Sequence, residues 1–510
     1  MIHINVVDTQ TLVEKSDGVT KYTAYNIYVN GSFHAAVRFS RLIQFAEAIK
    51  QRFATKNHLM LRFPSKQWFP IDEKGIEQRR IKISKYFNLL AQSPDIVRSI
   101  FVERRFLEFQ IESYPETSTN ISLNVFLGDG YKIGMKCSLS LCTDDVMKKI
   151  AQQLQIDNSE RFLQMFGLFL ARPRDDSNNH VDGQFNMLVV RLLRNFESPY
   201  ATLQTANRQS AVHGVCYKLV IRKMIWDPRV EETLLGDAVF VDLLYRQAKS
   251  DLQNGFFSTS SESIAEHLRM LEAKDDKLQY LRVCHEFPSY SYEVFPHCIG
   301  DYPEPDTPCE VMIGRRQLVL VSSGQEPKQH HAFRATRIHL WKICDSTSFG
   351  GQGPVIFQFE YLVDKSSFKW ITLCTDHAIL ISMLIHSIGA EILRERSTLK
   401  GSGDRALQVK SCSAHSKGLM TAANRSDSNS ATVEAEIHHS KSSSYETSST
   451  WKVVNHKSLI RVVRTGIVAL VSNDRLNTSG GSNPLGICQH SDLFTTITHL
   501  YSTYGLSNTL

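Results

Sequence analysis

The sequence predicts a multidomain α+β chain, and three observations lead there. Its 510 residues are too many for one hydrophobic core, so two to four domains are expected. Alternating apolar runs with strand periodicity and apolar stripes with helical periodicity follow one another along residues 1–395. Finally, the composition shifts after about Arg396, where residues 397–450 are about one quarter Ser with few aromatics, a mixture that cannot bury enough surface to fold alone.

The first domain opens with strands. Tyr25, Ile27 and Val29 alternate with polar residues, Asn30-Gly31 intervenes, and Phe33, Ala35, Val37 and Phe39 resume the alternation. Asn-Gly between two such runs signals a hairpin, because both turn positions need positive φ. Ser40 is placed to cap a helix with Leu42, Phe45, Ile49 and Phe53 on one stripe. A loop, Arg62–Pro70, precedes a second helix with Ile76, Ile83, Phe87 and Leu90 on one face, and a third helix is expected over Asp95–Phe106.

A second unit begins near Ser118. Ile121, Leu123, Val125 and Leu127 alternate, Gly128-Asp129-Gly130 turns, and Tyr131, Ile133 and Met135 continue; Thr143 with Asp144 and Asp145 then opens a helix bearing Val146, Ile150 and Leu154. Hairpin then helix is how a ubiquitin-like fold starts. Residues 227–287 read as helical. Residues 305–375 return to strands, at Glu310–Ile313, Gln317–Val321, Phe333–Ile343, Val355–Val363 and Phe368–Leu373, and an apolar helix, His377–Leu393, closes that unit. Within the Ser-rich tail, residues 451–475 become more apolar.

Charge narrows the function. Residues 1–110 carry 17 Lys+Arg against 10 Asp+Glu, whereas the other 400 carry 41 against 42. The basic excess lies in the first domain and suits an anionic partner, a phosphoinositide membrane or nucleic acid; no nucleic-acid fold motif accompanies it, which disfavours the latter. The ten Cys form no Cys-x-x-Cys pair and read as reduced, mostly buried thiols of a cytosolic protein. No secretory leader and no membrane span are expected, so membrane contact is peripheral. Catalytic patterns are absent. His285-Glu286 lacks the second His of a zinc protease helix, and there is no Walker-type loop, Gly-x-Ser-x-Gly elbow or metal-ligand spacing. We expect a binding protein without cofactor or metal.

Basic and aromatic residues at element junctions carry the binding signal. Val37-Arg38-Phe39-Ser40 ends the hairpin, Phe63-Pro64-Ser65-Lys66 lies in the loop, and Arg79 and Arg80 precede Tyr86 in the second helix. Helical periodicity does not separate Arg79 from Arg80. These motifs, in this order, resemble a PX domain. The resemblance implies that Arg38 forks onto the 3-phosphate of phosphatidylinositol 3-phosphate, that the ring of Phe39 packs on the inositol, that Lys66 meets the 1-phosphate and that Arg79, rather than Arg80, takes the remaining hydroxyls; Ser40 completes the motif. Trp68 and Phe69 are read either as core or as side chains inserted into the lipid interface.

Ser198–Tyr200, Tyr217–Asp227, Arg334–Trp341 and Phe359–Thr372 extend the resemblance to PX-FERM sorting nexins, the sorting nexin 17/31 branch. That implies a PX domain (1–110), a ubiquitin-like F1 lobe (115–210), a helical F2 lobe (211–303), a PTB/PH-like F3 lobe (304–396) and a largely disordered tail (397–510). In this branch F3 takes Asn-Pro-x-Tyr or Asn-x-x-Tyr receptor tails, the peptide adding a strand to a sheet edge against the closing helix. The candidate edge is Arg334–Ile343. Alternation puts Ile338 and Leu340 on one face and Arg337, His339 and Trp341 on the other, so Trp341 faces the groove if the first face is core; a buried core Trp is the alternative. Ile385, Gly389 and Leu393 are candidates for the helical wall. The resemblance implies an endosomal cargo adaptor, monomeric, on the cytoplasmic face of early endosomes. It also implies Ras contact through F1 and contact of the tail with the Retriever recycling complex. The family tail ends in acidic residues and Leu; this chain keeps Leu510 but lacks the acidic residues. The rival readings are a FERM linker between membrane and cytoskeleton and a phosphoinositide-anchored scaffold.

Overall fold

The computed structural model describes residues 2–14, 17–54, 62–66, 71–114, 121–174, 185–259, 261–323, 328–344, 355–364 and 367–415, with side chains as far as Arg396 in the last segment. Strands β1 (Ile4–Val13), β2 (Lys21–Val29) and β3 (Ser32–Arg38) form an antiparallel sheet in that order. The Asn-Gly turn is as expected: Val29 pairs with Ser32, and Asn30 and Gly31 have φ of 50° and 77°. Helices α1 (Phe39–Arg52) and α2 (Glu73–Ala91) follow, α2 capped by Asp72, which accepts from the Gly75 amide. Ser40 is not a cap. It is the second residue of α1, whose N-cap is Arg38 with no side-chain hydrogen bond. The helix expected over 95–106 is two, α3 (Pro94–Val97) and α4 (Ile100–Ser113). Ser99 separates them, its hydroxyl donating to the Ile96 carbonyl and accepting from the Val102 amide. The rings of Phe45, Phe87, Phe106 and Phe109 meet in the core.

The second unit contains β4 (Ile121–Phe126), β5 (Lys132–Cys137), α5 (Thr143–Gln153), α6 (Ser159–Met165), β6 (Phe166–Pro173), β7 (Met187–Leu192), α7 (Pro199–Ser210) and β8 (Lys218–Lys223). Its five-stranded sheet runs β5-β4-β8-β6-β7, with β4 and β8 parallel. As a central strand, β8 is buried almost throughout, and it carries this lobe past the boundary at 210 expected from the sequence. Helices α8 (Pro228–Glu232), α9 (Ala238–Gln253), α10 (Glu262–Ala273) and α11 (Lys277–Glu286) are capped by Asp227, Asp237, Ser261 and Asp276.

The third lobe begins with β9 (Tyr292–Gly300), earlier than the expected 304, and continues with β10 (Thr307–Gly314), β11 (Gln317–Ser322), β12 (His330–Arg334), β13 (Ile338–Cys344), β14 (Ile356–Leu362), β15 (Phe368–Cys374) and α12 (Ala378–His415). The sheet order is β12-β11-β10-β9-β15-β14-β13. The single strand expected over Phe333–Ile343 is therefore two: a 3-10 turn at Ala335–Arg337 sends β12 and β13 to opposite edges. The backbone of α12 runs beyond Leu393 into the segment expected to lack structure.

A β-bulge between Ile338 and Leu340 resets the alternation of β13. Ile338, Trp341 and Ile343 all point inward, Trp341 is fully buried, and its indole N–H donates to Ser382 Oγ at 3.1 Å. This corrects the placing of Trp341 on a groove face. Ile385 and Gly389 are buried too and do not form an open helical wall, because α12 lies with Ile381, Leu384, Ile385 and Ile388 in the lobe's core.

The lobes are joined by buried charge. Arg222 on β8 donates to both oxygens of Asp251 on α9, at 2.8 and 3.0 Å, and to Glu293 on β9. Lys223 donates to Glu231 on α8 at 2.6 Å and to Ser291, with its ammonium 3.9 Å from the Tyr290 ring centroid. Burial alone would raise the Glu231 carboxyl, but Lys223 and His285 hold it at about 2 against an ordinary 4.5. The first domain packs on the others through a second buried group. Glu197 accepts two bonds from Arg191, at 3.0 and 2.7 Å, while Gln110 on α4 donates to Thr202 and accepts from the Ser198 amide.

Two outcomes follow from this packing. Trp341→Ala should destabilise the protein by about 3–5 kcal/mol, as for other large core deletions, whereas Trp370→Ala, at an exposed sheet position, should stay within about 0.5 kcal/mol; urea unfolding checks both. Glu231→Gln leaves Lys223 unpaired, with an expected loss of about 3–5 kcal/mol at pH 7. Because the folded carboxyl is held below its ordinary value, its contribution is full above about 4.5 and fades toward pH 2. The gap in unfolding midpoint between wild type and Glu231→Gln should therefore narrow as pH falls through that window.

Candidate functional site

Two places on the chain gather the expected binding residues. In the first domain, Arg38 ends β3 with its backbone extended and is half-exposed. Its guanidinium donates to Glu14 at 2.5 Å and lies 4.9 Å from the Tyr22 ring centroid. Phe39 follows directly, and Arg79 on α2 sits over its ring at 4.0 Å. Tyr25 and Phe63 each lie 6.0 Å from the same ring, and Tyr86 meets Phe63 edge-on at 5.0 Å. Two cations from separate elements thus each lie against an aromatic ring, Arg38 against Tyr22 and Arg79 against Phe39. The amino end of α1 opens beside them. Its first turn holds no acidic residue and no side chain caps it, so its first amides are available to an anion. Ser40 is exposed in that turn.

Arg79 and Arg80, which periodicity could not separate, have different surroundings. Arg80 is bound to Glu77 and donates to the Val6 carbonyl at 2.5 Å, whereas Arg79 faces the Phe39 ring. Lys66 is exposed at the end of the described segment 62–66. Trp68 and Phe69 lie outside the described residues.

In the third lobe, β13 is an edge strand, hydrogen-bonded to β14 on one side, and α12 packs against it. Its polar side chains turn to the outer face of the sheet. His339 pairs with Glu360 and packs on Phe368 with ring centroids 5.1 Å apart; Lys342 lies over Trp370. Arg337 donates to the Val363 carbonyl and lies over Tyr361. Arg337 and His339 are thus half-buried on the outer face, whereas Trp341 is enclosed in the core. Of the helical candidates, Leu393 is half-buried and Ile385 and Gly389 are enclosed.

Sequence reasoning missed Glu14 and Tyr22 beside Arg38. The signal is in the registers, Leu12 opposite Tyr22 and Ala24 opposite Arg38, which bring the end of β1 to the end of β3. Among the described residues, no group of three or more His, Cys, Asp and Glu is placed to hold a metal ion, and no helix is long and apolar enough to cross a membrane.

Comparison with known proteins agrees with this division. Residues 25–110 match the PX domain, residues 121–226 the FERM domain F1 lobe of sorting nexins 17/27/31, and residues 291–393 the sorting nexin 17 FERM C-terminal domain. The chain is 30% identical to sorting nexin-17 of Rattus norvegicus over 409 residues, 78% of this chain and 83% of that one, with the same values for sorting nexin-17 of Homo sapiens. Sorting nexin-31 of Mus musculus is 26% identical over 384 residues, 73% of this chain and 82% of that one. The PX match, the FERM matches that follow it and this identity along most of both chains place the protein in the PX-FERM sorting nexin family, whose members are non-enzymatic endosomal sorting adaptors.

Proposed function

We propose that this chain docks on membranes carrying phosphatidylinositol 3-phosphate, on the cytoplasmic face of early endosomes, and there takes Asn-Pro-x-Tyr or Asn-x-x-Tyr receptor tails for recycling away from lysosomal degradation. The observation that carries the lipid half is Arg79 lying over the ring of Phe39, the residue that follows Arg38, at the uncapped start of α1. A guanidinium and helix amides together compensate a buried phosphate. Arg38 takes the 3-phosphate, Phe39 packs on the inositol, Arg79 takes ring hydroxyls and exposed Lys66 meets the 1-phosphate. Ser40 supplies an amide and hydroxyl at the helix start. Trp68 and Phe69, two and three residues after Lys66, bring rings suited to the lipid interface.

The cargo half rests on β13. Among the described residues β13 pairs with β14 alone, and a strand edge beside a packed helix is the geometry for strand addition by an extended peptide. Each contact can be weak, because two tethers on one membrane raise the effective concentration of the second.

Arg38→Gln should reduce sedimentation with vesicles containing phosphatidylinositol 3-phosphate by about tenfold or more, the scale of a lost charged hydrogen bond. Its affinity for an Asn-Pro-x-Tyr peptide, measured by calorimetry, should remain that of wild type. Undiminished sedimentation would overturn the pocket assignment. Added peptide should also slow hydrogen exchange in residues 338–344; protection confined to β12, at the opposite sheet edge, would overturn the groove.

A further inference from the structure

We propose that Glu14 is the specificity-determining gate of the Arg38 pocket: its carboxylate holds the guanidinium that a headgroup phosphate must take, so that binding there is an exchange of one anion for another. This inference rests on the phosphoinositide reading above and deepens it. Arg38 Nη1 donates to Glu14 Oε2 at 2.5 Å. Both side chains are partly exposed, at 45% for Arg38 and 34% for Glu14, so the pair is accessible from solvent.

The backbone of Glu14 is held by bonds of its own. The Glu14 amide donates to the Thr20 carbonyl at 2.8 Å, and the Gly18 amide donates to the Glu14 carbonyl at 3.0 Å. Asp17 then accepts from the Val19 and Thr20 amides at 2.9 and 3.0 Å. These bonds close the connection between β1 and β2 without using the Glu14 side chain, which is left for Arg38.

A resident carboxylate could help a ligand by holding Arg38 in place, or hinder it by competing. Two features favour competition. The Tyr22 ring already supports the guanidinium, 4.9 Å away, so Arg38 keeps a support when Glu14 leaves. And a phosphate bound at Arg38 would stand beside a like charge if the carboxylate stayed, a repulsion that grows with the charge on the headgroup.

The test uses the full chain and vesicles of phosphatidylcholine with or without phosphatidylinositol 3-phosphate, read by sedimentation. Glu14→Gln keeps the size of the side chain and removes its charge. It should bind the phosphoinositide vesicles roughly two- to fivefold more tightly than wild type, the scale of one exposed ion pair. In an Arg38→Gln background the same change should give no gain, and the unfolding midpoint should not move. Equal or weaker binding by Glu14→Gln would overturn the gate and identify Glu14 as a support for Arg38. A gain that persists without Arg38 would also overturn it, as a general charge effect. A wild type that ignores the phosphoinositide altogether would instead overturn the lipid reading, and the gate with it.

Discussion

The arrangement of the three FERM lobes depends on two neighbouring cations at the end of one strand. Arg222 and Lys223 close β8, a strand buried on both faces of its sheet, so neither side chain can reach water cheaply. Each such charge costs several kcal/mol to bury unless it is fully paired. The structure pairs them with three different elements. Arg222 takes Asp251 of the helical lobe and Glu293 of the third lobe; Lys223 takes Glu231 and Ser291. Rotating any lobe would strip a partner from one of them. The carboxylates respond in opposite directions. Glu231 is held far below its ordinary value by Lys223 and His285 despite burial, whereas burial and nearby Asp251 raise Glu293 against the pull of Arg222. Only the first favours the folded state as pH rises toward neutrality; the second acts the other way.

The join to the first domain follows the same logic with a carboxylate at its centre. Burial would raise Glu197, but Arg191, two bonds from it and the Arg194 amide hold it below the usual range. Around it lie Gln110, Thr202 and Ser198, and His34 packs against Phe196 and Phe106. His34 itself is kept neutral, chiefly by burial. A first domain tethered only by a flexible linker would need none of this. The PX domain is therefore packed against the FERM lobe beside it.

Much of this was legible in the sequence, and the unread parts share a physical cause. Local chemistry was legible: the Asn30-Gly31 hairpin, the apolar stripes of α1 and α2, the acidic start of α5 and the Arg38, Phe39 and Arg79 set. What failed was whatever one extra residue or one distant partner decides. A bulge at Ile338–Leu340 turned Trp341 from the groove to the core, because inserting a residue reverses every later side chain of a strand. The corner at Ala335–Arg337 contains neither Gly nor Pro, so two strands looked like one. Ser99 split a helix by bonding on both sides of itself. Arg222 and Lys223 carry no local signal of their role, since their partners lie up to about seventy residues away in the chain.

The closing helix shows why the bulge matters beyond Trp341. Helix α12 is buried on more than one side. It fills the third lobe's core with Ile381, Leu384 and Ile388, and it binds Trp226 through Ser387 and Glu391, at 2.9 and 2.7 Å. It also reaches the first domain, where Arg98 meets His386 at 3.0 Å. Burial, with cations that include Arg98 and Arg194, keeps that His neutral, so it can accept from the guanidinium. At the hairpin turn, Gly31 is required twice: its φ is positive, and a Cβ there would stand 3.0 Å from Ile379 of the same helix. Helix α12 is thus fixed at once by the core, by Trp226 at the β8 junction and by the first domain. The bulge turns Trp341 inward to bond Ser382 and so locks the strand to that helix. Among the described residues β13 pairs with β14 alone, so this edge strand and α12 are held together by the Trp341–Ser382 bond and the core around it.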